Sequence, residues 1–181
     1  MRVRRVAVLI PLLCAGCLGS SPSDGVFDVV FDPCQPVAVR PEPGTRAEEV
    51  AGVAWGIAMW NDRAGTRLAL DEGGGAPAAG AAPVLPIRFQ AAALVVFGVY
   101  EDEVGLVLVN RGLTDEHERA VTVAHELGHA MDLRHVNAAA RPSVMNDGNL
   151  ALEPNPGDVA ALQARWGVCD APRPGARNDR R

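Results

Sequence analysis

The feature that most constrains this chain is a pair of histidines within the run His125-Glu126-Leu127-Gly128-His129. On an α-helix, residues four apart lie on the same face one turn apart, so both imidazoles can bind one metal ion. The flanking sequence favours a helix, because Thr114 is a candidate N-cap and Asp115 and Glu116 place negative charge in the first turn. We therefore predict a helix from Thr114 to about Met131 that carries two metal ligands.

A third histidine, His135, follows six residues after His129. The helix has to end between them, and the chain has to turn back for His135 to reach the same ion. Three imidazoles leave one tetrahedral position open for water, which is typical of catalytic zinc and not of structural zinc. Nitrogen donors favour Zn²⁺ over Ca²⁺ or Mg²⁺. Glu126 is then placed to act as general base on the zinc-bound water, which predicts hydrolysis of an amide.

The longer run HELGHAMDLRH, followed by SVMN, resembles the metzincin zinc peptidases, whose pattern is HExxHxxGxxH with a later Met-turn. The resemblance implies that His125, His129 and His135 bind one zinc ion, that Glu126 is the catalytic base and that Met145 is the Met-turn residue. Within that clan, the runs HELGHAMDL and DVAALQARWG are most similar to the matrixin catalytic domain.

The order of the other elements agrees with that domain. Periodicity predicts strands at 37–40, 66–70, 84–90, 93–100 and 104–110, a helix from Thr45 to Trp60 with Trp55 in the core, and a last helix from Pro156 to Gly167. We expect an α+β fold of the α/β/α-like metzincin type over residues 34–170. It would comprise a twisted mixed sheet of about five strands, a long helix, the active-site helix and a small C-terminal subdomain with the Met-turn and final helix.

The resemblance also predicts where a substrate binds. The strand Ala93–Tyr100, paired as a hairpin with 104–110, would be the edge strand that pairs with an extended polypeptide. Residues 146–154, after the Met-turn, would form the wall of the pocket beside the zinc. Glu101, Asp102 and Glu103 at the hairpin tip could bind Ca²⁺, although a solvated tip is the favoured interpretation.

Three residues depart from the family pattern. Asp132 stands where the family has Gly, at a turn that commonly needs positive φ; Asp tolerates this conformation, so we expect a cost of about 1 kcal/mol and retained zinc binding. Val136 replaces the Ser or Thr usual in matrixins. His117 is the one histidine outside the triad, so the sequence has no ligands for the additional structural zinc of animal matrixins.

The N-terminus predicts export. Residues 1–17 have a basic start and then a short apolar stretch, as in signal peptides, and their end resembles a bacterial lipobox with Cys17 as the lipidated residue. We expect a cell-envelope lipoprotein, of the outer membrane, with free secretion as the alternative. The apolar stretch is shorter than the roughly 20 residues that span a bilayer, so membrane attachment would be through the lipid alone. Residues 18–33 are predicted as a spacer, 71–83 as a surface loop and 171–181 as a disordered tail.

Cys34 and Cys169 remain once the signal is removed. Two thiols in an oxidising compartment suggest one disulfide that joins the beginning of the domain to its end, and two unpaired buried thiols are the alternative.

Composition narrows the function classes. With 17 basic and 22 acidic residues the formal net charge is −5, which gives no support to nucleic-acid binding. Nothing indicates an oligomer, so we expect a monomer. We predict a zinc endopeptidase; the alternatives are an inactive, zinc-stabilised surface module that binds extended polypeptides and a different metal-dependent hydrolase. The intact Glu126 argues against the inactive module.

Overall fold

The computed structural model describes residues 27–73, 81–93 and 95–169. Eight elements follow in the order β1 (Val37–Pro41), α1 (Ala47–Ala64), β2 (Leu68–Leu70), β3 (Val84–Gln90), β4 (Gly98–Glu101), β5 (Leu106–Asn110), α2 (Glu116–Ala130) and α3 (Pro156–Trp166). The predicted signal peptide with Cys17 and the predicted tail lie outside the described residues.

The five strands form one mixed sheet in the order β2-β1-β3-β5-β4. The pairs β1–β2, β1–β3 and β3–β5 are parallel, whereas β4 lies at an edge and is antiparallel to β5. This topology, with three helices, confirms the predicted α+β class, the mixed sheet of about five strands and the hairpin of its last two strands.

The edge strand is shorter than predicted, since β4 begins at Gly98 and not at Ala93. The side chain of Asn110, at the end of β5, explains the difference. Its Nδ2 donates to the carbonyl oxygens of Ala93 at 3.1 Å and Val96 at 2.7 Å. These bonds hold the segment before β4 in a turn. The Val96 amide, which donates to the Ala93 carbonyl oxygen at 2.9 Å, also closes this turn.

The helices α1 and α2 pack closely where α1 has glycine. A Cβ placed on Gly56 would lie 2.7 Å from Cγ1 of Val123, so only glycine permits this approach. One turn later Trp60 is fully buried and its indole N–H donates to the carbonyl oxygen of Ala124 at 2.8 Å. The prediction that Trp55 lies in the core is wrong: it is 38% exposed, because it points to the outer surface and packs on the ring of His117.

The ends of the helices follow local capping rules. The N-cap of α2 is Asp115 and not Thr114 as predicted, because the Asp115 carboxylate accepts from the Glu118 amide at 2.9 Å. Asn155 caps α3 in the same way, with Pro156 as its first residue. None of the helices in the described ranges is long and apolar enough to cross a bilayer.

Residues 27–33, in the predicted spacer, pack against the domain. Phe31 is buried and its amide donates to the carbonyl oxygen of Ala130, at the end of α2. Just beyond them, Cys34 forms a disulfide with Cys169, which confirms the predicted pairing across 135 residues. The disulfide joins the segment that enters the sheet to the segment that follows α3.

Candidate metal centre

Three histidine rings converge at the C-terminal end of α2. The Nε2 atom of His125 lies 3.1 Å from Nε2 of His129 and 3.1 Å from Nε2 of His135, and the last two are 3.2 Å apart. Among the residues that the structure describes, these three form the one group of His, Cys, Asp or Glu side chains arranged to hold a metal ion. His125 and His129 are buried, whereas His135 is exposed.

Backbone carbonyls orient the two buried rings. Nδ1 of His125 donates to the carbonyl oxygen of Val144 at 2.7 Å, and Nδ1 of His129 donates to that of Leu133 at 2.8 Å. A neutral imidazole that donates from Nδ1 has its lone pair on Nε2, so these bonds fix the tautomer that binds metal. Burial lowers the pKa of His125 and lowers that of His129 to about 3, which keeps both rings neutral near pH 7.

The three nitrogens fit zinc. Zn–N bonds of 2.0–2.1 Å in a tetrahedron separate neighbouring nitrogens by about 3.3 Å, close to the observed 3.1–3.2 Å. Three neutral lone pairs at this distance repel one another unless a cation lies between them. Nitrogen donors suit Zn²⁺ better than Ca²⁺ or Mg²⁺, which prefer oxygen. The donor set therefore supports the predicted single zinc ion.

The turn after α2 brings His135 back to the helix. Asp132 has φ of +66° and is, in the described part of the chain, the one residue other than glycine with positive φ. Its amide donates to the His129 carbonyl and the Leu133 amide to that of Gly128, both at 2.9 Å. These two bonds form the Schellman motif, in which the left-handed position is usually glycine. The Asp132 backbone therefore takes the left-handed conformation that was predicted for this position.

Helix α3 holds this turn through two side chains. Nε of Arg165 donates to the Asp132 carboxylate, and the indole N–H of Trp166 donates to the carbonyl oxygen of Met131 at 2.7 Å. The Asp132 side chain is only 11% exposed. The residue with the strained backbone is thus held in place through its carboxylate, by an ion pair from a distant helix.

The predicted Met-turn packs against α2 between the two histidines of the helix. Met145 is buried, and its Sδ atom lies so close to Gly128 that a Cβ there would clash with it. Asp158, at the start of α3, is fully buried and accepts from the Val144 amide at 3.0 Å and from the hydroxyl of Ser143. Because the carbonyl of Val144 in turn accepts from His125, Asp158 fixes the residue that orients the first ligand.

Glu126 lies beside the triad and against the edge strand. It is 4% exposed, and the backbone amide of Tyr100 donates to its carboxylate. A Cβ on Gly98 would lie 2.5 Å from Glu126 Oε1, so glycine allows β4 to approach the carboxylate. Burial raises the pKa of Glu126 to about 8 in the metal-free protein. A cation on the three histidines would favour the ionised form and lower this pKa.

A cavity of about 230 Å³ opens next to Glu126 and His125. One wall is the segment 95–98 that leads into β4, and the opposite wall is 147–149, which follows the Met-turn. The prediction that the segment after Met145 walls a pocket beside the metal is therefore confirmed for these three residues.

Sequence reasoning named the triad, Glu126 and Met145, and the structure brings all five together. It missed Gly98, Asp158 and Arg165. Gly98 could be suspected because it is a glycine inside the predicted strand 93–100. The ion pair of Arg165 and the contacts of Asp158 with residues 143 and 144 carry no local signal, because the partners lie 14 or more residues away. At the hairpin tip, for which Ca²⁺ binding was the less favoured alternative, Asp102 accepts from the amide of Asp28 at 3.2 Å.

Comparisons with known proteins add little to this geometry. No protein-family model and no curated protein matches the chain. Among solved structures the chain is similar to high choriolytic enzyme 1, a hatching enzyme zinc-protease of the medaka fish Oryzias latipes. The two are 12% identical with a TM-score of 0.47, over 81% of this chain and 96% of that one. At this level of similarity, function has to be argued from the site itself.

The ion pair between Arg165 and Asp132 should stabilise the turn after α2. Arg165→Gln should lower the free energy of unfolding by about 0.5–1 kcal/mol, because a half-exposed ion pair contributes no more than this. In an Asp132→Gly background the same change should have almost no effect, since the ion pair and the strain are both absent. Urea unfolding of the four metal-free proteins measures this, with the exposed Arg67→Gln as control. Equal effects in both backgrounds would contradict the interaction.

Glu126 should make the stability of the metal-free protein depend on pH. Its pKa in the fold, about 8, lies above its ordinary value of 4.5. The protonated Glu126 carboxyl therefore makes its full contribution to the free energy of unfolding below pH 4.5, and this contribution is lost as pH rises through 8. Glu126→Gln, which cannot ionise, should gain stability relative to the wild type over this range, by more than about 1 kcal/mol. Urea unfolding with a chelator at several pH values measures the difference. A difference independent of pH would contradict the shifted pKa.

Proposed function

We propose that this protein is a zinc-dependent endopeptidase of the metzincin type. The observation that carries the proposal is the meeting of three imidazole Nε2 atoms within 3.2 Å of one another, with the buried carboxylate of Glu126 next to them. Three nitrogen ligands leave a position open at a zinc ion, and a carboxylate beside that position suits proton transfer. The similarity to the matrixins remains part of the proposal, on the sequence runs alone.

Each residue of the site would have a separate chemical role. When bound, zinc supplies a Lewis acid that acidifies water and polarises a carbonyl. His125, His129 and His135 hold it, with the first two rings fixed by their backbone acceptors. Glu126 takes the proton from the attacking water at its carboxylate and passes it to the leaving amine.

The edge strand β4 supports binding of an extended polypeptide. It is the last strand of the sheet, and Val99 on it is 42% exposed. A substrate that pairs with β4 through main-chain hydrogen bonds would be held next to Gly98 and Glu126. We propose an unfolded or extended polypeptide as substrate and a monomeric enzyme.

The site of action is proposed from the N-terminal sequence. The basic and apolar residues before Cys17 support export and lipid attachment to the cell envelope, with secretion as the alternative. Radiolabelled palmitate incorporated into the expressed chain, and lost in Cys17→Ala, would support the anchored form.

The test of the function is chelator-sensitive cleavage of an unfolded protein. The full chain loaded with one equivalent of zinc should produce fragments, a chelator should stop this, and added zinc should restore it. Glu126→Gln should keep its zinc and lower kcat/KM by about 100- to 10,000-fold, which is the usual effect of removing a general base. Glu116→Gln, a glutamate in the first turn of the same helix, is the matched control and should retain activity.

Two results would overturn the proposal. One is cleavage that persists undiminished in Glu126→Gln. The other is that the zinc-loaded wild type binds the unfolded protein as tightly as Glu126→Gln does but cuts none of it. That is what an inactive binding module would do.

A further inference from the structure

The cavity beside the metal centre has one charged side chain at its mouth. Asp147 is exposed and lines the cavity together with Glu126. Its carboxylate makes no hydrogen bond or ion pair with any other residue that the structure describes, and its negative charge acts only at longer range, on the ring of His125. Among the described residues that line the cavity, the metal ligand His125 is the one basic side chain. The cavity therefore has a carboxylate at its mouth that no described Arg side chain pairs with.

The backbone around Asp147 holds it in a fixed position. The Asn149 amide donates to the carbonyl oxygen of Asn146 at 3.1 Å and closes a tight turn, in which Gly148 has φ of +67°. The Asn149 side chain donates to the carbonyl oxygens of Val144 at 3.2 Å and Leu152 at 2.7 Å. The turn is thereby tied to the segment that orients His125, so a group bound to Asp147 lies at a set position relative to the metal centre.

One side of the cavity is apolar. Val95, Val96 and Phe97 form one side and Thr122, one helical turn before His125, lies on α2. In another protein a cavity of about 150 Å³ holds benzene. The volume here, about 230 Å³, therefore accommodates one long side chain. An apolar side with a carboxylate at the mouth matches a side chain with an aliphatic stem and a cationic end.

We infer that the cavity binds an arginine or lysine side chain of the substrate, next to the scissile bond, with Asp147 as the residue that selects its charge. The stem packs on Val96 and Phe97, and the cation pairs with the Asp147 carboxylate. The inference rests on the proposed endopeptidase function and specifies its substrate class as polypeptides cut beside a basic residue. Asp147 acts in specificity and takes no part in the proton transfer by Glu126.

The test compares matched peptides. Fragment termini from an unfolded protein locate the cut, and peptides are then made around it with Arg, Lys, Gln, Met or Glu in turn at each flanking position. We measure kcat/KM for the zinc-loaded wild type, Asp147→Asn and Asp147→Lys. Asp62→Lys, at an exposed position on α1 outside the cavity, changes the net charge as much as Asp147→Lys does and is the control.

At one flanking position, the wild type should cut the Arg and Lys peptides with a kcat/KM about tenfold higher than the Gln peptide. A ratio of this size is what one charge-assisted hydrogen bond to Asp147 would give. In Asp147→Asn this ratio should fall to less than about threefold, and Asp147→Lys should prefer Glu. Asp62→Lys should behave as the wild type.

Two outcomes overturn the inference alone: equal rates for the Arg and Gln peptides, or a basic preference that survives in Asp147→Asn. If the wild type cuts no peptide of any composition, the proposed function fails, and the inference fails with it.

Discussion

Three imidazole nitrogens that face one another at about 3 Å impose the main constraint on this structure. Their lone pairs repel unless a cation binds between them, so the fold has to hold them in position. Helix α2 provides His125 and His129 by its pitch alone. The third nitrogen requires the chain to leave the helix and reverse within five residues, and the left-handed backbone of Asp132 permits this. The position of His135 therefore depends on one strained residue.

The rest of the domain supports that arrangement from three sides. Helix α3 contacts the turn through Arg165 and the Met-turn through Asp158, so one helix stabilises both segments that orient the histidines. The disulfide attaches the chain after α3 to Cys34, before β1. On the opposite side the sheet presents its edge strand, and Gly98 allows that strand to approach Glu126. The three histidines, Glu126 and the edge strand thus share one cleft because three separate elements meet there.

The sequence was sufficient to predict the parts that depend on local geometry. The spacing of His125 and His129 is a property of any helix, and the alternation in β3 marks a strand with the bounds observed. The edge strand was predicted too long because the side chain of Asn110, which holds the preceding segment in a turn, acts from another strand. The role of Asp158 could not be predicted, since a carboxylate in the first turn of a helix is ordinarily a solvated capping residue. Its burial is a consequence of tertiary packing.

The central claim is that three histidines bind zinc and leave one position open beside Glu126. X-ray absorption spectroscopy of the protein loaded with one equivalent of zinc tests it most directly. The account predicts three imidazole nitrogens and one oxygen at about 2.0–2.1 Å, and two nitrogens in His135→Ala. A sulfur ligand at about 2.3 Å, or a fourth imidazole in place of the oxygen, would show a closed site and contradict the account.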